Sequence, residues 1–474
     1  MAPAATRSTL TRSILLVLGV TLSLVAITAG VLVAVFGMRV EMRGSGMHPL
    51  FVFDDLDEHY TSLEENRSQH SSRLLPAAPV EANRTDSRAP YWTDFRGPAR
   101  DGRYTQSRIR TDWPADGLTP LWHQPIGGGY ASFIVAEGRA FTIEQRRDQE
   151  VVTAYDVETG REVWNHAWDS HFQETMGGPG PRATPTWHDG RVYALGATGF
   201  LWSLDAVTGD VLWSRNILED SQGTNLEWAM ASSPLVVDDL LIVQPGGRHG
   251  WSVVAYDLDT SAIVWHALDD AQSYTSPMTV TLAGRRQVLI VTAERVVGLG
   301  VGDGRLLWEH PWTPPTVPNI AQPILVGDSQ IFLSAAYGYG ATLLELLPRD
   351  EEIAVRTVWQ NNRMTNRFSS SVLHEGYIYG LDESILACID ASTGELQWKG
   401  GRYGYGQLLL AEDHLVVLTE DGELVLVYAT PDGHDEVART PAIEGKTWNV
   451  PALADGRLLV RNAREMAAFD LSAQ

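Results

Sequence analysis

Apolar and polar residues alternate along most of the chain beyond about residue 120, and one version of the pattern keeps returning. Residues 154–164 read AYDVETGREVW, 203–213 SLDAVTGDVLW, 255–265 AYDLDTSAIVW and 388–398 CIDASTGELQW, with a worn copy, GLGVGDGRLLW, at 298–308. Each copy predicts a strand, a tight Asp-x-x-Thr-Gly turn and a second strand that ends in Trp. The Asp can accept the turn's amide protons, and the Gly supplies the positive φ that the turn needs. Trp122, Trp164, Trp213, Trp265, Trp308, Trp359 and Trp398 close successive units about 40–50 residues long, the size of a four-stranded blade. These tryptophans are expected to dock each blade on the next. Residues 405–439 make a further unit without a closing Trp, and 448–471 supply three strands that residues 118–124 can complete. The pattern predicts an all-β, eight-bladed β-propeller stitched shut by both chain ends, a closure that removes exposed sheet edges. Seven blades is the alternative, and the strand count disfavours it.

The repeated D-x-x-T-G turn with its closing Trp resembles the tryptophan-docking repeat of the pyrroloquinoline-quinone-like (PQQ-like) propellers, over roughly residues 92–471. The resemblance implies the fold and leaves the chemistry open. That family includes PQQ-dependent alcohol dehydrogenases and also non-catalytic envelope proteins, and one fold hosts many functions.

The N-terminus breaks the pattern. Residues 14–36 carry no charge and are long enough to cross a bilayer as a helix, with Arg7 and Arg12 before them and Arg39 and Arg43 after. The short basic leader, 1–13, favours a cytoplasmic N-terminus and a propeller (91–474) in the periplasm or outside the cell. A cleaved signal peptide is the competing reading; the apolar run is longer than an ordinary signal core, and no small-x-small cleavage site follows it. Residues 37–90, acidic and then Pro/Ala-rich, are expected to be a flexible tether, disordered or with one short helix.

The formal charge of −23, from 59 acidic and 36 basic residues, argues against nucleic acid as a partner. Cys388 is the one cysteine, which excludes an intrachain disulfide and a Cys-rich metal site. Blade topology places the segments before each inner strand near the axis on one face. These are GGGYAS (127–132), GGPGPRATP (177–185), EWAMASSP (227–234), SYTSP (273–277), NIAQP (319–323), NRFSSS (366–371), GYGQ (404–407) and EGKTWNVP (444–451), joined by the EQRRD loop at 144–148. Together they predict a funnel. Its candidate residues are Glu144, Arg146, Arg182, Thr184, Glu227, Trp228, Ser232, Tyr274, Asn319, Asn366, Arg367, Ser369, Lys446 and Trp448, with Tyr130 as further flat surface. Arg can grip a carboxylate through two parallel bonds, and Trp can stack on a planar ring. Two readings stay open: a site for a small anionic ligand, or a plug whose cations pair with acids such as Glu144 and Glu227.

In the PQQ dehydrogenases this face holds the quinone with an Arg, a stacking Trp and a calcium, and the resemblance sets Arg182, Trp448 and Asn319 on comparable segments. No Asp lies on the inner-strand segments, Cys388 alone cannot form the cysteine pair that many of those enzymes carry, and no Cys-x-x-Cys-His haem motif occurs. No catalytic residue and no metal site can be named, and PQQ with calcium remains a possible cofactor. The expectation is a membrane-anchored binding or scaffolding module for an envelope protein, with a PQQ- and calcium-dependent dehydrogenase as the alternative.

Overall fold

The computed structural model describes residues 5–43, 48–53, 56–71, 92–315, 319–350 and 352–473. Eight antiparallel blades form the propeller. Blade one runs Ile134–Ala136, Arg139–Arg146, Gln149–Asp156 and Glu162–Asp169 from the axis outward, and blades two to six repeat that order. Its two middle strands carry six consecutive buried residues each. Both faces of a blade are covered by neighbours, so these strands bury every side chain and not alternate ones.

Blade seven gains a fifth strand, because Arg103–Tyr104 runs parallel to Gln407–Ala411. Blade eight joins Ala452–Ala454, Arg457–Arg461 and Glu465–Asp470 to an outer strand from the N-terminal side, Trp122–Pro125, with Gln124 opposite Met466. The ring therefore closes as the strand arithmetic requires. The closing strand is shorter than the expected 118–124, because the amide of Leu118 is drawn to Thr440 Oγ1 of blade seven at 3.2 Å.

The repeat turns do what their residues dictate. Asp156, Asp205, Asp257 and Asp390 each accept backbone N–H groups of their own turn through Oδ1. Each closing Trp except Trp308 then donates its indole N–H to a carbonyl of the next blade: Trp122 to Val157, Trp164 to Ala206, Trp213 to Leu258, Trp265 to Val301, Trp359 to Ala391 and Trp398 to Thr430. The turn glycine makes room for the ring. A Cβ on Gly209 would lie 2.6 Å from the Trp164 ring, and one on Gly160 2.6 Å from Trp122. Trp308 departs: its neighbour, blade five, runs its two outer strands on for ten residues each, Gly340–Arg349 and Glu352–Asn361, and the Trp308 indole bonds to Gln287 of its own blade.

The lead-in WTDFRGPARDG (92–102) packs across the inner segments at the axis, with its arginines in the main role. Arg100 lies fully inside and donates to the carbonyls of Ser233 at 3.2 Å and Pro277 at 2.9 Å, to that of Pro234 and to Thr186 Oγ1. Arg96 donates to Ser371 O at 2.8 Å, and burial pulls its guanidinium down to about 10. Carbonyls from three blades, and a hydroxyl from a fourth, thus converge on two cations. Cys388 is buried in its strand, its thiol pushed up to about 12 by burial.

Helix α1 (Ala5–Phe36) contains an apolar window, Leu15–Val33, none of it buried against the rest of the protein. At 1.5 Å per residue this window spans ~28 Å, enough for a bilayer's apolar layer. Part of the stretch expected as a flexible tether, disordered or with one short helix, is folded. Strands β1 (Met38–Arg43) and β2 (His48–Phe53) pair in a hairpin, and helix α2 (Leu56–Ser71) docks on the propeller. Tyr60, Leu63 and Arg67, spaced on one helical face, are buried there, with Asp57 and Glu58 in the first turn where the helix dipole favours acids. Arg67 bridges the closing seam. It donates to Pro125 O of blade eight at 3.0 Å and to Tyr155 Oη of blade one at 2.8 Å, and pairs with Glu162 at 3.1 Å. Buried polar side chains of this kind are specific to one partner surface, which acidity and poor periodicity in the sequence hid. The rest of that stretch, 44–47, 54–55 and 72–90, lies outside the described residues.

Candidate functional site

The segments before the inner strands converge on one face, and a cavity of about 170 Å³ opens there. Phe95 of the lead-in lines it together with Tyr130, Trp228, Tyr274, Tyr337, Phe368 and Trp448, and Met176, Ile320 and Val450 add apolar surface. The rings support one another: Tyr130 stacks on Trp448 with centroids 5.5 Å apart, Phe368 lies 4.6 Å from Trp448, and Trp228 lies 5.9 Å from Tyr274. Such pairs are worth about 0.5–1.5 kcal/mol each beyond area burial, so the wall is preorganised.

Each cation at the funnel is held from within. Arg182 pairs with Glu174 at 3.1 Å, donates to the carbonyls of Gly178 at 2.9 Å and of Gly180, and sits 4.8 Å over Phe172. Burial pulls its guanidinium below the ordinary value, against the pull of Tyr130 and Glu174. Lys446 donates to Met176 O at 2.7 Å and lies 4.5 Å over the Trp448 ring. Arg367 stands behind the wall, donating to Tyr337 Oη at 2.7 Å with its guanidinium 4.0 Å over that ring. The Trp448 indole donates to Glu420 at 3.0 Å, which fixes the ring's tilt. Burial pushes the Tyr274 phenol up to about 12, and its hydroxyl oxygen accepts from the Trp228 amide at 3.2 Å.

Of the residues expected here, Arg182, Trp228, Tyr274 and Trp448 line the cavity, and Lys446 lines an adjoining cleft. Others belong elsewhere. Glu144 is buried in the blade one–blade eight seam, where it accepts from Arg146, Thr153 and Tyr155; burial pushes its carboxyl up, but Arg146, Arg67 and Arg461 outweigh that and hold it down to about 2. Arg146 bridges Glu144 and Glu162 and is a seam residue too. Neither acid proposed as a plug partner serves: the partner of Arg182 is Glu174, and Glu227 is exposed outside the cavity lining. Thr184 links blades through Ser132 N and Ser233 Oγ; Asn319 spends its amide on Thr292 O and Trp312 O, and Asn366 on Leu381 O. Ser232 and Ser369 are buried and do not line the cavity.

Sequence reasoning missed Phe95, Glu174, Met176, Tyr337 and Phe368. Glu174 and Met176 come in on a small two-stranded flap, Gln173–Glu174 with Gly178–Pro179, between blades one and two. An acid eight residues before Arg182 was the available signal. Tyr337 lies on the turn between the second and third strands of blade five, the counterpart of the 144–148 loop of blade one.

A quinone held by calcium needs a different donor set. Calcium takes six to eight oxygens, commonly from several carboxylates. Among the described residues no group of three or more His, Cys, Asp or Glu side chains is placed to hold a metal. The cavity wall offers Glu174, already engaged by Arg182 and by the amides of Met176 and Gly177. The residues present do not fit that group.

A family model described as outer membrane protein assembly factor BamB matches residues 114–222 and 147–400. The chain belongs to this PQQ-like propeller family. It is 23% identical over 366 residues to outer membrane protein assembly factor BamB of Shewanella oneidensis, covering 65% of this chain and 88% of that protein. Among solved structures, BamB from Moraxella catarrhalis superposes with a TM-score of 0.55 at 16% identity, over 75% of this chain and all of that one, 100%. A europium-containing methanol dehydrogenase superposes at 0.60 with 12% identity, over 80% and 98%. Such structural likeness establishes the fold alone.

Proposed function

We propose that the protein is a membrane-anchored envelope scaffold that docks a partner protein in its aromatic funnel. Helix α1 serves as an uncleaved anchor, with the N-terminus in the cytoplasm and the propeller in the periplasm or outside the cell. One observation carries the reading: the funnel's cations are bound internally, which leaves a rigid, aromatic-walled pit at the axis. A pit of this kind suits an apolar side chain presented by a protein, since aromatic pockets ringed by satisfied polar groups are where interface energy concentrates. Membership of a family described by an outer membrane protein assembly factor supports the same class of role.

The test is site-specific photocrosslinking in cells with a benzophenone residue at Trp228, and at Val207 on the opposite face as control. The expected result is a discrete adduct with an envelope protein from Trp228 and none from Val207. Equal adducts from both, or none from Trp228, would count against the funnel as the docking surface.

A further inference from the structure

We propose that the funnel face looks toward the bilayer at close range, so that its partner is a membrane-embedded protein reached at its juxtamembrane segment. The inference deepens the reading above and rests on α1 being a membrane span. It starts from connectivity. The hairpin register pairs Met38 with Phe53, so the chain that leaves α1 at Phe36 returns beside its own starting point. Only three residue steps then separate Phe53 from Leu56, the first residue of α2, a distance of at most ~11 Å. Twenty residues that could have been a long leash are folded back to almost none.

Where α2 sits fixes the rest. His59 contacts Ile126 O at 2.9 Å and Asn66 donates to Gln124 at 3.1 Å, both where the closing strand runs into the funnel segment. Arg147, on the turn between the second and third strands of blade one, donates to Glu64 at 2.7 Å and to Asp57 at 3.0 Å. Turns of that class lie on the funnel face. A second cleft confirms the side: Val40, Val52, Leu56 and Tyr60 form one wall, while Met176 and Lys446 of the funnel rim stand in the other, around about 800 Å³. The anchor's exit therefore lies over the funnel rim, and the Asp-x-x-Thr-Gly turns point away from it. Phe51 of the hairpin is exposed and takes no part in that cleft, as an apolar residue near a bilayer surface would be. The cleft has room for several residues of an extended chain and runs from the membrane side into the aromatic pit, since the two share Tyr130, Glu174 and Met176. A partner emerging from the bilayer meets it first.

The full chain, with Cys388→Ser, is reconstituted in phosphatidylcholine vesicles carrying a headgroup-labelled acceptor lipid. A donor dye is placed by Thr175→Cys on the funnel flap or by Val207→Cys on a repeat turn. Flotation with the vesicles reports the anchor, and energy transfer reports the orientation. The expected result is flotation with severalfold stronger transfer from position 175 than from 207, a difference that collapses when Arg67→Ala and Arg147→Ala release α2. Flotation with equal transfer, or with stronger transfer from 207, overturns the orientation and leaves the anchor standing; failure to float overturns both. In cells, a crosslinked partner of position 175 should resist alkaline carbonate extraction, and a partner released by carbonate would overturn its membrane placement.

Discussion

The outer perimeter of the propeller and the funnel at its axis are built by opposite rules. On the perimeter a short local motif repeats: an Asp closes a turn, a Gly opens space, and the Trp of the preceding blade fills it and donates to the next carbonyl. At the axis five successive inner segments still share one link, an amide donated to a side-chain oxygen of the next blade, but the cations and rings of the funnel do not repeat. Arg100 gathers carbonyls from separate blades, Arg182 finds Glu174 on a flap, and Lys446 reaches Met176 from the far end of the chain. A repeated rule stabilises a ring; a unique arrangement is needed to recognise something.

The largest expected effect is on the perimeter. Trp164→Ala deletes a buried ring and its bond to Ala206, and should cost about 3–5 kcal/mol in urea unfolding. Its crosslinking from Trp228 under native conditions should be unchanged, because blade docking and the funnel wall share no side chain. A loss of crosslinking in folded protein would break the division between the two regions.

Moving inward, two buried glutamates on blade one should shape the pH profile in opposite senses. Glu144 is held down to about 2, below its value in the unfolded chain, so its contribution is full above the ordinary carboxylate range and is lost as pH falls toward 2. Glu150, which accepts from Ala197 N, is pushed up to about 7 by burial. The folded state then holds its proton the more tightly, so stability declines as pH rises from about 4.3 through 7. Urea midpoints between pH 2.5 and 8 should lose their acid limb in Glu144→Gln and their mid-range decline in Glu150→Gln. Reversed assignments would place the wrong carboxylate in the seam network.

The smallest effect sharpens the perimeter rule. Blade three carries Ser261, at φ +57°, where the intact copies have Gly. Ser261→Gly should relieve left-handed strain and stabilise the protein by about 1 kcal/mol in the same unfolding assay. No gain would mean that the turn has adapted to serine.

The same contrast explains what could be read from the chain. Blade number, the closing strand and the seven docking tryptophans follow from local spacing. The funnel's face was legible too, because topology alone assigns it. Its occupants were not. Glu144 and Asn319 stand on the right segments, but a strand side chain can face a neighbouring blade as readily as the axis, and only packing decides. Phe95 and the helix α2 came from stretches with no periodic signal, where single buried contacts such as Arg67 with Tyr155 set the structure.

The central claim is that the funnel's cations are bound within the protein and the pit reads an apolar protein surface. Calorimetric titration of PQQ with calcium into the wild-type chain and into Arg182→Ala tests it most directly. The account expects no saturable binding to either protein. Saturable binding to the wild type that is abolished by Arg182→Ala would contradict it, because Arg182 would then have exchanged Glu174 for the ligand.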